Sequence, residues 1–190
     1  MKETDLNVPG GAGTVLLHTC CAPCSSAIIE CLMNGGVRPV IYYCNPNIWP
    51  MEEYLIRKNE CSRYAESLGL EMVDADYDHD CWLKAVKGLE EEPERGGRCL
   101  QCFRLRLSRA ALYAHEHGIR VITTTLASSR WKSLAQINEA GRLAVEPYDD
   151  VVWWDRNWRK GGLQERRRQI IEQYGFYNQR YCGCEFSLRD

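Results

Sequence analysis

The chain lacks any apolar run approaching the roughly 18 residues that cross a bilayer, so no membrane span is expected. Its opening, Met1–Gly13, has none of the apolar stretch a secretion signal needs and reads as a flexible polar tail. These absences point to a soluble, cytoplasmic protein. Charge of one sign is missing too. The 24 basic and 26 acidic residues leave −2, which excludes a uniformly basic nucleic-acid binder while allowing a local basic face. There is no internal repeat and no linker long enough to divide domains. With 190 residues, 45% of them apolar, residues 14–190 are expected to bury one core as a single metal-binding domain.

What the chain has in excess is cysteine, eleven in all. A reducing cytosol keeps thiols free, so clustered cysteines there signal metal or redox chemistry. Three groups stand apart: Cys20-Cys21-x-x-Cys24, Cys99-x-x-Cys102 and Cys182-x-Cys184. Their seven thiols are too many for one tetrahedral zinc. They suffice for a four-cysteine iron–sulfur cluster plus a second metal ion. Spacing alone leaves both iron–sulfur and zinc open. A thiol–disulfide oxidoreductase would use one C-x-x-C and leave the other five site cysteines unexplained.

Strand-like and helix-like segments alternate along the chain. Thr14–His18, Arg38–Cys44, Leu70–Val73, Ile119–Thr125 and Val151–Trp154 read as strands. Helices are expected from about Pro23 to Gly35, over Glu52–Leu68, Cys81–Leu89, Cys99–His117, Lys132–Ala144 and Leu163–Tyr174. Such alternation predicts an α/β fold, a Rossmann-like parallel sheet with helices on both faces. The first cysteine group then falls in the turn after strand one, at the carboxyl edge where such sheets bind ligands. A helix N-terminus there, and another at Cys99, lowers thiol pKa values and favours the metal-binding thiolate.

The remaining candidates carry competing readings. Cys31, Cys61 and Cys81 read as small core residues, and Cys44, which ends strand two, reads either as core or as approaching the site. His18 either supports the first cysteines or bonds to backbone at a strand end, and His79, His115 and His117 read as surface residues. Asp78, after strand three, could ligate a harder metal, donate a proton or merely cap the next helix. Asp155 is a second carboxylate candidate. From Asp155 to Arg168 the basic residues Arg156, Arg159, Lys160, Arg166, Arg167 and Arg168 mix with Trp158, next to Trp153 and Trp154. That mixture suits phosphates and stacked bases, or else a solvated helix over buried tryptophans. Arg104, Arg106 and Arg109 could extend the same face.

HTCCAPC, NPNIWPMEEYLIR, EEEPERGGRCLQCFRLRL, TTTLASS and YNQRYCGCEFS occur in the order and spacing of the QueH-type epoxyqueuosine reductases, which the chain resembles from about Val15 to Ser187. It departs from the pattern at Cys44, where an aromatic residue is expected, and at Asn178, where Arg is expected. The resemblance implies a fold similar to the adenine nucleotide alpha hydrolase-like (HUP) proteins. It also implies cobalamin-independent reduction of epoxyqueuosine to queuosine in tRNA with a GUN-type anticodon. The implied cofactors are a [4Fe-4S] cluster and an additional iron ion, held by cysteines and an aspartate, with an external electron donor. On that basis Cys20, Cys21, Cys99 and Cys102 are assigned to the cluster, and Cys24, Cys182, Cys184 and Asp78 to the second iron. Two other readings are a zinc-stabilised RNA-binding module and an ATP-dependent tRNA thiolase. Against the thiolase, no Gly-rich phosphate loop follows the first strand.

Overall fold

Val15, Leu16 and Leu17 are successive residues of one strand and all three are fully enclosed. An unbroken apolar run is what a parallel strand covered on both faces requires. In the computed structural model, which describes residues 6–75 and 77–188, that strand is β1 (Thr14–Thr19). It pairs in parallel with β2 (Arg38–Tyr43) on one side and β4 (Val121–Thr124) on the other. The strands β3 (Met72–Asp74) and β5 (Val152–Trp153) complete a five-stranded, all-parallel sheet in the order β3-β2-β1-β4-β5. The fold is α/β and Rossmann-like, as the alternation predicts.

The helices are α1 (Ala22–Asn34), α2 (Met51–Ser67), α3 (His79–Ala85), α4 (Gly97–Glu116), α5 (Leu134–Val145) and α6 (Leu163–Tyr174). Helical connections between parallel strands cross over right-handed, and the chain runs outward from β1 in one direction through α1 and α2 and in the other through α4 and α5. The two sets therefore cover opposite faces: α1 packs with α2 and α6, and α4 packs with α5. The strand order reverses between β1 and β4, so the loops after those two strands open side by side. That is the crevice where sheets of this type bind ligands.

Most element ends fall within a residue or two of the sequence reading. The exception is α3, expected over Cys81–Leu89 and found at His79–Ala85. Its start moves by two residues, with Asp78 accepting a hydrogen bond from the Cys81 amide at 3.0 Å, and its end by four, where the chain turns to Gly88 at φ of 82°. Of the segment 1–13, residues 1–5 lie outside the described residues. Leu6 is buried against the core beside Gly35, and its carbonyl accepts from Arg156 Nη1 at 2.7 Å.

Candidate metal centre and its basic cleft

Cys21 is the N-cap of α1, so Cys20, Cys21 and Cys24 are wrapped around one helix end at the β1/β4 crevice. Their three sulfurs lie within 4.8 Å of one another, and those of Cys20 and Cys21 are 3.8 Å apart. The Thr125 hydroxyl, just past β4, donates to Cys20 Sγ at 3.4 Å. From the far end of the chain, Gln179 Nε2 reaches Cys21 Sγ at 2.8 Å.

The other two groups arrive from different elements. Cys99 and Cys102 lie in the opening turns of α4, whose start is fixed where Glu92 accepts from the Gly97 amide at 3.0 Å. Cys182 and Cys184 lie on the segment after α6, which has little regular structure of its own. Long-range bonds hold it instead. The Trp49 amide donates to the Gly183 carbonyl at 2.9 Å, and Arg57 donates to the carbonyls of Cys182 and Tyr181 at 3.2 and 3.3 Å. Gly183 has φ of 118°, a left-handed conformation that glycine tolerates, and a Cβ there would stand 2.9 Å from Ile48. This bend brings Cys184 against Cys102 and Trp82. Cys99, Cys182 and Cys184 together line a small cavity of about 30 Å³.

Two cations tie the groups into one electrostatic unit. Burial opposes the charge of Lys132, but its contact with Cys182 and the nearby Cys20 and Cys24 sulfurs hold its pKa above the usual lysine value. Burial likewise opposes Arg106, and Cys102, Cys20 and Cys182 outweigh it. Arg106 is 2% exposed and bonds to the Cys44 carbonyl at 3.0 Å and to Asn45. Within the first trio, hydrogen bonds from Cys21 and Cys24 pull Cys20 well below the ordinary thiol value. Burial raises Cys21, and hydrogen bonding with Cys20 pushes Cys24 up to about 12. Burial also pushes Cys184 up to about 11. Cations placed against several thiols match a site meant to carry more than one thiolate.

A cleft of about 780 Å³ opens beside these thiols, with Cys24 and Cys182 in its lining. Arg130, Arg159, Arg167, Arg168 and Arg180 line it against one acid, Glu94. Arg159, Arg167 and Arg168 were visible in the basic run; Arg130 and Arg180 were missed, because each is a single basic residue outside it. The other three residues of the run turn elsewhere. Arg166 clasps Glu30 at 2.8 Å, while Arg156 and Lys160 border a separate hollow near Cys31. The neighbouring tryptophans belong to the fold: Trp158 is fully buried, Trp154 nearly so, and Trp153 packs on Gly141. The helix-over-core reading holds for them. The α4 arginines do not extend the face either, since Arg104 pairs with Glu139 and Arg109 with Asp78.

Asp78 caps α3, and the hydrogen bond from the Cys81 amide, then Arg109 at 3.3 Å from its second oxygen, hold the carboxyl below its usual value. It is not among the carboxylates and thiols that approach the first trio. Asp155 pairs with Arg142 in the open. His18 is buried and bonded to Thr124 and to the Cys44 carbonyl, the strand-end alternative, and burial first, then Arg106, holds its pKa down at about 3. A carbonyl can only accept, so Nε2 carries the proton and Nδ1 accepts from Thr124. His79 departs from the surface reading: it is stacked between Tyr77 and Trp82 and bonded to Pro46 and Glu185. Cys31, Cys44 and Cys61 are core residues, whereas Cys81 is only half-buried.

The donor set suits a thiophilic metal. Among the described residues the cysteines form no disulfide. A tetrahedral ion with metal–sulfur arms of about 2.3 Å spaces its sulfurs by roughly 3.8 Å, which is the Cys20–Cys21 separation. Fold and site thus define a class: a Rossmann-like α/β protein with a thiol-rich site at its topological switch point and an arginine-lined cleft alongside. Residues 15–190 match the family Epoxyqueuosine reductase QueH. Proteins of that name from Histophilus somni (strain 129Pt) and Haemophilus influenzae (strain Rd) are 52% and 51% identical over 185 residues, covering 97% of this chain and 76% of each relative. One from Thermotoga maritima is 34% identical over 179 residues, covering 93% of this chain and 91% of the relative. The chain belongs to the epoxyqueuosine reductase QueH family.

Proposed function

We propose that this chain reduces epoxyqueuosine to queuosine at the wobble position of tRNA with a GUN-type anticodon. Two electrons and two protons enter, both C–O bonds of the epoxide break, an alkene remains and the oxygen leaves as water. The observation that carries this reading is the position of Cys182. It lines both the small thiol cavity and the arginine-lined cleft, so an electron-transfer centre and a polyanion site share a wall.

Cys20, Cys21, Cys24, Cys99, Cys102, Cys182 and Cys184 hold a [4Fe-4S] cluster and an additional iron ion. When bound, these supply single electrons and a Lewis-acid position for the epoxide oxygen. The protein's own part is positioning. Lys132 and Arg106 offset thiolate charge, Gln179 orients Cys21, and Arg57 fixes the segment that carries Cys182. Arg159, Arg167 and Arg168 take backbone phosphates, with Arg130 and Arg180 beside them. An anticodon loop presents its bases unpaired, so little energy is spent in drawing one toward the thiols. An external donor supplies the electrons, and the reaction belongs in the cytoplasm with its tRNA.

Anaerobic purification followed by iron, sulfide and absorption analysis tests this. The expected result is about four labile sulfides and four to five irons per chain. Loss of iron and of epoxyqueuosine-tRNA reduction is expected in Cys99→Ala; full retention of both would remove Cys99 from the site. Stoichiometric zinc without labile sulfide would instead favour a zinc-stabilised RNA-binding module.

A further inference from the structure

Trp153, Trp154 and Trp158 are taken up by the fold, but Trp131 is not. At 63% exposure it is the most exposed large hydrophobic side chain among the described residues. It lines both the thiol cavity and the basic cleft, and it immediately precedes Lys132, which contacts Cys182.

Its loop is tied down while the ring stays out. Arg95 Nε donates to the Trp131 carbonyl at 2.9 Å, and Arg95 Nη2 to the Arg130 carbonyl at 3.1 Å. The Trp131 amide donates to Ser129 Oγ at 3.3 Å, and Arg159 holds the Lys132 carbonyl at 2.7 Å. The Arg130 guanidinium lies over the indole, 4.9 Å from the ring centre. A backbone fixed on both sides of an exposed indole leaves little conformational freedom to lose when that indole meets a flat partner.

We infer that Trp131 is a stacking platform for an unpaired base of the anticodon loop adjacent to the wobble nucleoside. This rests on the reading of the substrate as tRNA. A wobble nucleoside drawn to the thiols leaves its neighbour without a stacking partner, and an indole on the rim of the same cleft replaces it. Every base has a π face, so the contact adds affinity without demanding a particular neighbour. Arg130 reinforces the ring from its other face.

The test compares wild type with Trp131→Ala, Trp131→Leu and Trp131→Phe, binding epoxyqueuosine-bearing tRNA over a range of salt concentrations. Ala and Leu should weaken binding on the order of ten- to a hundred-fold, and Phe should restore most of it, because stacking needs a planar ring. The salt dependence should be unchanged in the Ala variant, since no phosphate contact is removed. Unfolding midpoints of all variants should match wild type. Equal binding by all four proteins, or Leu binding as well as Phe, overturns the stacking role and leaves the tRNA reading intact. A flattened salt dependence in Trp131→Ala also overturns it, marking a collapsed cleft. Failure of wild type itself to bind the tRNA overturns both readings together.

Discussion

The guanidinium of Arg57, on α2, donates to the carbonyl of Cys182 at 3.2 Å, joining residues 125 apart in sequence. The same side chain is 2% exposed and pairs with Glu53 at 2.6 Å, while Tyr177 donates to the other Glu53 oxygen at 2.8 Å. A buried cation thus holds the thiol-bearing segment that has no helix or strand to hold it.

Arg57→Met removes the cation and leaves Glu53 buried and half-satisfied. Breaking a buried pair from one side costs about 3–5 kcal/mol, so the denaturant midpoint should fall sharply. The double variant Arg57→Met/Glu53→Gln should recover part of that loss, since no unpaired charge remains. Cys182 should also alkylate faster in Arg57→Met, with buried Cys31 as the internal reference. An unchanged Cys182 rate would show that Arg57 stabilises α2 without positioning the thiol.

Arg166 and Arg168 are two residues apart, yet only Arg168, paired in the open with Glu165 at 2.7 Å, lines the cleft; Arg166 clasps Glu30 on α1. Arg168→Gln and Arg180→Gln should each lower the slope of log affinity for tRNA against log salt by about 0.7–0.9. Arg166→Gln should leave that slope alone and reduce stability instead, by up to about 1 kcal/mol for a pair about one-third exposed. Binding titrations at several salt concentrations decide this. Equal slopes for all three variants would remove the cleft as the phosphate track.

The contrast between these arginines marks where local pattern stops informing. The polar, Arg-rich stretch Leu163–Tyr174 was legible as a helix, and α6 has those bounds, with Gly162 and Gly175 flanking it in left-handed conformations. The C-x-x-C at the head of α4 and the trio after β1 were legible because their placement follows from element ends. The segment 176–184 has no period to read. Its course is set by Gln179, Arg57 and Trp49 meeting partners far away in sequence. Nor does spacing say which tryptophans are buried. Trp158 bonds Thr123 inside the core, whereas Trp131, in a segment without a basic run, faces the cleft.

For Asp78, capping of α3 can be separated from metal ligation. As N-cap of α3 it accepts from the Cys81 amide, so Asp78→Ala should lower the denaturation midpoint. Asp78→Asn keeps a capping oxygen and should unfold close to wild type, apart from the exposed contact with Arg109. Chemical denaturation measures both. Because the Asn variant preserves the cap, any iron it loses reports on the carboxylate itself rather than on α3.

Gly141 on α5 faces the ring of Trp153 so closely that an added Cβ would lie 2.2 Å from it. Gly→Ala inside a helix ordinarily adds about 1 kcal/mol of stability. Here the sign should reverse, because the atoms an added Cβ would meet are those of the rigid ring of Trp153 and not the end of a flexible side chain. Overpacking of this kind costs about 1–3 kcal/mol, so Gly141→Ala should lower the unfolding midpoint despite its better helix propensity. Trp153 Nε1 has no hydrogen-bond partner, so Trp153→Leu forfeits only packing. Adding Trp153→Leu to Gly141→Ala should therefore cost less than the sum of the two single changes. A strictly additive pair would mean that the ring and the helix are not in the contact that sets the α5–β5 spacing.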